Sequence, residues 1–358
     1  MLEDFPVEDI DPLATGAWIL GTGGGGNPYL STLNLKRLYA EGHRVQVMDP
    51  AALDDDDLVA VVSGMGAPLV GQERLKDPRH MARAVELMED YLGRPFRAIM
   101  ALEIGGANAL SPFLAAALLG RPVVNADCMG RAYPEAQMTS FAIGGLSMFP
   151  LAMVDVRDNE VIVARAESWK WMEKISRAAC TAIGSTAATC KAPRTGREVK
   201  DWGIHDTITK AVELGRAVDA ARARHADPVA AILDHEGGKS LFRGKVVDVD
   251  RTTTGGFLRG STKIEGLGED RGAVLELAFQ NEWAVAFRDG VPVAMTPDLI
   301  CLLDTVSGSA LGTEAVRYGQ RVSVVALPAP EILTSPAGLE AVGPRAFGYD
   351  IDFKSVFA

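Results

Sequence analysis

The segment Gly21-Thr22-Gly23-Gly24-Gly25-Gly26 constrains this chain more than any other. Five of its six residues lack a Cβ, so the backbone can turn left-handed and lie against atoms that a side chain would strike. The apolar residues before it, 16–20, read as a short buried strand. After it, Asn27 is a good helix cap and Pro28 suits the first helical position, with Leu30, Leu33, Leu35 and Leu38 supplying an apolar side. A glycine turn between strand and helix belongs at the carboxyl edge of an α/β sheet, where such sheets bind their ligands.

The residues that follow repeat the alternation. Apolar stretches at 44–48, 58–63, 97–102 and 122–125 read as strands, and 80–92 and 107–119 as helices. This predicts an α/β fold with a mostly parallel, Rossmann-like sheet covered by helices on both faces. Beyond residue 150 the pattern changes. Extended runs at 151–156 and 160–164 flank a turn, 168–181 and 206–224 look helical, and strands recur at 242–249, 256–264, 274–279, 283–287 and 322–327. Short turns such as Asp289-Gly290 make that second part a β-rich, antiparallel α+β domain. The boundary is placed at 165, giving domains 1–165 and 166–358.

Composition removes several function classes. A net charge of −11 over 358 residues argues against nucleic acid or an anionic membrane as the main partner. No run reaches the roughly 18 apolar residues of a membrane span, and the acidic start Met1-Leu2-Glu3-Asp4-Phe5 is no signal peptide. Cys128, Cys180, Cys190 and Cys301 are scattered without a CxxC pair, as expected of reduced thiols in a cytoplasmic protein. The expectation is a homo-oligomer acting on a small molecule.

Three predicted strand-end loops carry the chemistry. In the first, Gly21, Gly23 and Gly26 satisfy GxGxxG and Asp49 ends the next strand, as a dinucleotide site would require. Four consecutive glycines are looser than that fingerprint, and Pro28 removes a helix-start N–H. A bare turn, or backbone donors from Gly23, Gly24, Gly25 and Gly26 for a small polar ligand, are the other readings. In the second, Glu103 closes an apolar strand ahead of Gly105, Gly106 and Asn108. A partly desolvated carboxylate there suits a base or a metal ligand, or else a plain helix-start interaction. The third, residues 125–138, gathers Asp127, Arg131, Glu135 and Gln137. Either acid could activate water and Arg131 could hold a carboxylate or a developing anion, or these groups could simply pin the loop. Cys128 is a weaker nucleophile candidate, with no histidine near it in sequence. No HxH or HExxH spacing exists, so a metal site would be assembled from separate loops. A divalent metal stays open, with Asp127, Glu135 and His205 as candidate ligands.

With these residues laid out, the chain resembles the bacterial S-methyl-thiohydantoin desulfurase family, a two-domain family first catalogued as a domain of unknown function and associated with hydantoinases and oxoprolinases. The marks are Thr22-Gly23-Gly24-Gly25-Gly26, Glu103-Ile104-Gly105-Gly106 with Asn108, and Met129-Gly130-Arg131-Ala132-Tyr133-Pro134-Glu135 with Gln137-Met138. Gly255-Gly256-Phe257 with Gly260, Asn281-Glu282-Trp283, Thr296-Pro297-Asp298-Leu299-Ile300 and Gly343-Pro344-Arg345-Ala346-Phe347-Gly348-Tyr349-Asp350 complete them. The resemblance implies hydrolytic removal of sulfur from a five-membered cyclic imide, by water attack at C2 of a thiohydantoin or S-methyl-thiohydantoin bearing a carboxylate. In that scheme Asp127 or Glu135 is the base and Arg131 the anion partner, while Glu103, Asn108 and the glycine turn orient the ring. The rival expectations are an NAD(P)-dependent oxidoreductase and a non-catalytic subunit of a hydantoinase-type complex.

Overall fold

The computed structural model describes residues 2–66, 70 and 77–358. The first half of the chain passes through β1 (Leu2–Asp4), β2 (Gln46–Met48), β3 (Leu58–Gly66), β4 (Ala98–Ala101), β5 (Val123–Val124), the two-residue β6 (Ala126–Asp127), β7 (Leu151–Val154) and β8 (Glu160–Val163). It continues through β9 (Thr186–Thr195) and β10 (Ile204–His205). β6 and β10 pair with each other, and the rest form one sheet in the order β1-β2-β5-β4-β3-β9-β7-β8. Only its centre, β2, β5, β4 and β3, is parallel. Pairings outside that centre are antiparallel, so the sheet is mixed rather than mostly parallel. The long β3–β9 ladder, from Leu58↔Thr195 to Gly66↔Thr186, brings a strand from beyond residue 165 into this sheet.

Strand alternation covers both faces. Ala60 and Val62 of β3 join Ile99 and Val123 in one core, while Val59 and Val61 join Met100 and Val124 in another. The first core is roofed by α1 (Ile10–Leu20), α2 (Tyr29–Ala40), α3 (Pro78–Leu92) and α4 (Ser111–Leu119). The opposite face is covered by the short α5 (Ser140–Ile143), by α6 (Trp169–Ala182) and by α7 (Gly196–Trp202), while α8 (Thr207–Ala223) lies over α1. Local chemistry sets the ends. Asp77 caps α3 by accepting from Arg79 N at 2.9 Å, and Gly93, at φ 65°, closes it left-handed.

Residues 16–20, read as a strand, are the last turns of α1. Ile10, Leu13, Ala14 and Ala17 follow the helical spacing and are buried. Gly16 is needed because α8 crosses there: a Cβ on it would lie 1.8 Å from Ala211 O. Gly215 on α8 answers it, with Pro12 O at 2.0 Å from its own ideal Cβ. The glycine turn therefore joins two helices.

The second half builds β11 (Lys239–Thr254), β12 (Phe257–Gly266), β13 (Val274–Gln280), β14 (Glu282–Arg288), β15 (Val291–Met295), β16 (Leu299–Asp304) and β17 (Arg321–Leu327). They form an antiparallel seven-stranded sheet; five of its strands are read from the sequence, while β15 and β16 are not. Its alternation welds the halves together. Ile300 and Leu302 face the core of this sheet, whereas Leu299, Cys301 and Leu303 join the core of the first. Among the described residues no helix is long and apolar enough to cross a membrane.

Candidate active site

A cavity of about 390 Å³ lies where the glycine turn, the 102–108 loop, the 129–135 loop, α6 and β9 meet residues 281, 282 and 314 of the second half. That volume is in the range of small-molecule sites.

Glu103 is its central acid. The side chain is buried and lines the cavity. Its Oε1 accepts from Asn108 Nδ2 and its Oε2 from Tyr133 N at 3.1 Å. Asn108 Oδ1 in turn accepts from Gly64 N at 2.7 Å, so the amide that grips Glu103 is itself fixed to the end of β3. Burial raises the Glu103 carboxyl to about 7, against the lowering effect of those two donors. Such a group holds and releases a proton near neutrality, as a general base must. Glu135 is half-buried on the same cavity, held by Gln137 Nε2 and by Gln280 Nε2 at 3.1 Å.

Asp127 and Arg131 take other parts. Neither lines the cavity. Asp127, fully buried, accepts at Oδ2 from the N–H groups of Ile104 (2.8 Å), Gly130 (2.8 Å) and Met129 (3.2 Å), which ties the 102–108 and 129–135 loops together. Burial pushes its carboxyl to about 7 as well. Arg131 spends its guanidinium on Ala132 O, Pro297 O, Asp298 O and Trp283 O and on the Thr22 hydroxyl, the last at 2.7 Å. All five N–H donors are committed, so a substrate anion would find none of them free. Its role as anion partner is replaced by that of a bolt between the glycine turn and the second domain. Gln137 reaches the site only through Glu135. Cys128 is buried, donates to Leu102 O at 3.0 Å, and has its thiol pushed well above the ordinary value by burial, the opposite of an activated nucleophile.

The glycine turn is divided. Gly25 and Gly26 line the cavity. Gly23 and Gly24 face the second domain, where a Cβ would meet the Trp283 indole at 2.5 Å and Glu282 Oε1 at 1.9 Å. Thr22 O accepts from Trp283 N at 2.8 Å and Gly23 O from Thr313 N at 2.9 Å. The preceding element is a helix and the turn is packed from behind, so the context of a dinucleotide fingerprint is not met. Asp49 caps a short turn by accepting from Ala51 N at 2.8 Å.

Several cavity residues escaped the sequence reading. Lys191 on β9 is 9% exposed, and burial lowers its ammonium from the ordinary lysine value. It forms no ion pair within 4 Å among the described residues, while Glu173 and Glu103 act on it through their field. Glu173 on α6 pairs with Arg177 at 2.6 Å, and Arg177 also holds Gly256 O and Pro134 O. Glu282 and Glu314 are buried, and each has an unpartnered Oε2. Of these, only Glu282 had a signal in the sequence, inside Asn281-Glu282-Trp283.

Among the described residues, no group of three or more His, Cys, Asp or Glu side chains is arranged to hold a metal ion. His205 sits on β10 opposite Ala126, its Nε2 3.2 Å from Val199 O, away from the cavity.

Comparison with known proteins agrees with this architecture. A crystal structure of a protein from Chromobacterium violaceum, a Northeast Structural Genomics Consortium target, superposes with a TM-score of 0.83 over 99% of both chains at 22% identity, a likeness of fold. No curated protein matches the chain. Family models match from end to end: the S-Me-THD-like N-terminal domain over residues 8–165 and the S-Me-THD-like C-terminal domain over 167–356. The chain belongs to the S-Me-THD-like family, with both of its domains present.

Proposed function

We propose that this protein hydrolyses the C2–S bond of a thiohydantoin or S-methyl-thiohydantoin that carries a carboxylate. The observation that supports it most is the presence, in one small cavity, of a buried acid raised to about 7 and a buried lysine that forms no ion pair within 4 Å among the described residues. The family name points to the same ring.

In this reading Glu103, deprotonated, takes a proton from water as the water oxygen bonds to C2. Lys191 offsets the negative charge that builds on the ring. The C2–S bond then breaks as the sulfur takes the proton held on Glu103, while the second water proton passes from the C2 hydroxyl to the ring nitrogen, or to the sulfur of the unmethylated ring, and C2 becomes a carbonyl. One water is consumed and one methanethiol, or one hydrogen sulfide from the unmethylated ring, is released. Asn108 keeps the Glu103 carboxyl in one orientation, and Asp127 holds the two loops at the spacing that the site needs. Glu135 is a second carboxylate within the cavity, available to the product side of the reaction.

The test is methanethiol release from S-methyl-thiohydantoin propionate by the purified protein. Release at a rate well above buffer supports the assignment. Its absence, with and without added Zn²⁺ or Mn²⁺, contradicts it.

A further inference from the structure

Glu282 is the most unusual cavity residue that the proposed hydrolysis leaves without a task. It opens β14, is 3% exposed, and lines the cavity. Its Oε2 has no hydrogen-bond partner among the described residues. A buried polar oxygen without a partner is costly to the fold, so something outside the chain is expected to satisfy it. The fold goes to some length to place it there. Gly24 leaves room for the carboxyl, whose Oε1 would stand 1.9 Å from a methyl group at that position. The Thr313 hydroxyl, bonded to Asn281 O at 2.5 Å and to Gly23 O at 3.2 Å, clamps the start of β14 against the turn.

Chemistry narrows the ligand. Burial and the nearby Glu103 raise the Glu282 carboxyl well above its ordinary value, which favours its protonated, neutral form in the cavity. A neutral carboxyl offers an O–H donor and a C=O acceptor side by side. A five-membered cyclic ureide offers the complementary edge, an N–H and a C=O held cis by the ring. The two pair through two parallel hydrogen bonds, which an open-chain trans amide does not match.

We propose that Glu282 is the specificity residue that reads the adjacent N3–H and C4=O of a cyclic ureide ring. This rests on the ring chemistry of the proposed function and adds which edge of the ring is recognised and by what. Glu314, also buried with an unpartnered Oε2, is the neighbouring polar wall.

The test uses two non-reacting probes, hydantoin-5-propionate and its N3-methyl analogue, with calorimetric Kd values for the wild-type protein, Glu282→Gln and Glu282→Leu. The wild type should bind the unmethylated ring at least tenfold more tightly. Glu282→Gln, which keeps one donor and one acceptor, should stay within about threefold of wild type, and Glu282→Leu should bind both probes equally weakly. Gly24→Ala, which displaces the carboxyl without changing it, should also lose the preference, and this variant decides the test if Glu282→Leu does not fold. Equal binding of the two probes by the wild type would overturn the inference. So would a Glu282→Gln loss as deep as that of Glu282→Leu, which would mean that an ionised carboxylate is grasping a cation. Methanethiol release is followed alongside: turnover without the N3 preference sinks only this inference, whereas absence of both binding and turnover removes the proposed function with it.

Discussion

Gly24 and Glu282 share one space: a Cβ on Gly24 would lie 1.9 Å from Glu282 Oε1, 2.5 Å from Cδ and 2.6 Å from Cγ. Gly24 does not adopt a left-handed φ, so alanine is sterically allowed by its backbone. The three nearest atoms all belong to the movable end of one side chain. Gly24→Ala should therefore fold, with a stability loss of no more than about 1–2 kcal/mol, because one carboxyl shifts and no backbone does. The same change should lower kcat/KM at least tenfold. Thermal melts and steady-state rates on one preparation check both halves.

Glu103 sets the pH dependence of activity. As a base it works deprotonated, so kcat/KM should climb as pH rises through about 7 and level off above it. Glu103→Gln should abolish that limb and cost roughly 10²–10⁴-fold in kcat, the usual contribution of a general base.

Lys191 should tune that limb. Its charge lowers the Glu103 carboxyl, so removing it should move the acid limb to higher pH. Lys191→Met should thus show a weaker maximal rate and a pH profile displaced upward, whereas a purely structural role would leave the midpoint where it is. The profile of kcat/KM between pH 5 and 9 decides between them.

Asp127 and Arg131 should divide stability from activity. Asp127→Asn keeps an oxygen for the three N–H groups and should retain activity within about tenfold. Its effect on melting follows from linkage. The native carboxyl, at about 7, binds its proton more tightly than the unfolded chain does, with an ordinary value near 3.8. The stability it contributes is therefore present at low pH and is lost as pH rises from about 4 through about 7. Replacing it with Asn should flatten the fall in melting temperature across that window. Arg131→Met would strand four buried carbonyls and the Thr22 hydroxyl, and should destabilise by on the order of 3–5 kcal/mol, read by denaturant unfolding.

What the sequence showed, and what it hid, divides along physical lines. α3 was legible over 80–92 because its apolar face has the helical period, while its start at Pro78, behind the Asp77 cap, was not read. Five strands of the antiparallel second sheet were legible as extended runs between turns, whereas the short β15 and β16 were not. Residues 16–20 misled because a short apolar run carries no period of its own; taken with Ile10, Leu13 and Ala14 before it, the helical spacing emerges. β9 was missed because both of its faces are buried, so Thr186, Ala187, Ala188, Thr189 and Cys190 do not alternate, and Lys191 was missed with it. Glu103 and Asn108 stood out at a strand end and do meet in the cavity. Arg131 stood out equally, but its task depends on carbonyls more than 150 residues away in sequence, which no local pattern displays.

The most direct measurement is the fate of S-methyl-thiohydantoin propionate in ¹⁸O-water, with wild-type protein and with Glu103→Gln. The account predicts that the wild type releases one methanethiol for each ring that gains one ¹⁸O at C2, and that Glu103→Gln loses at least a hundredfold in that rate while remaining folded. Methanethiol release without label at C2, or undiminished turnover by Glu103→Gln, would contradict it.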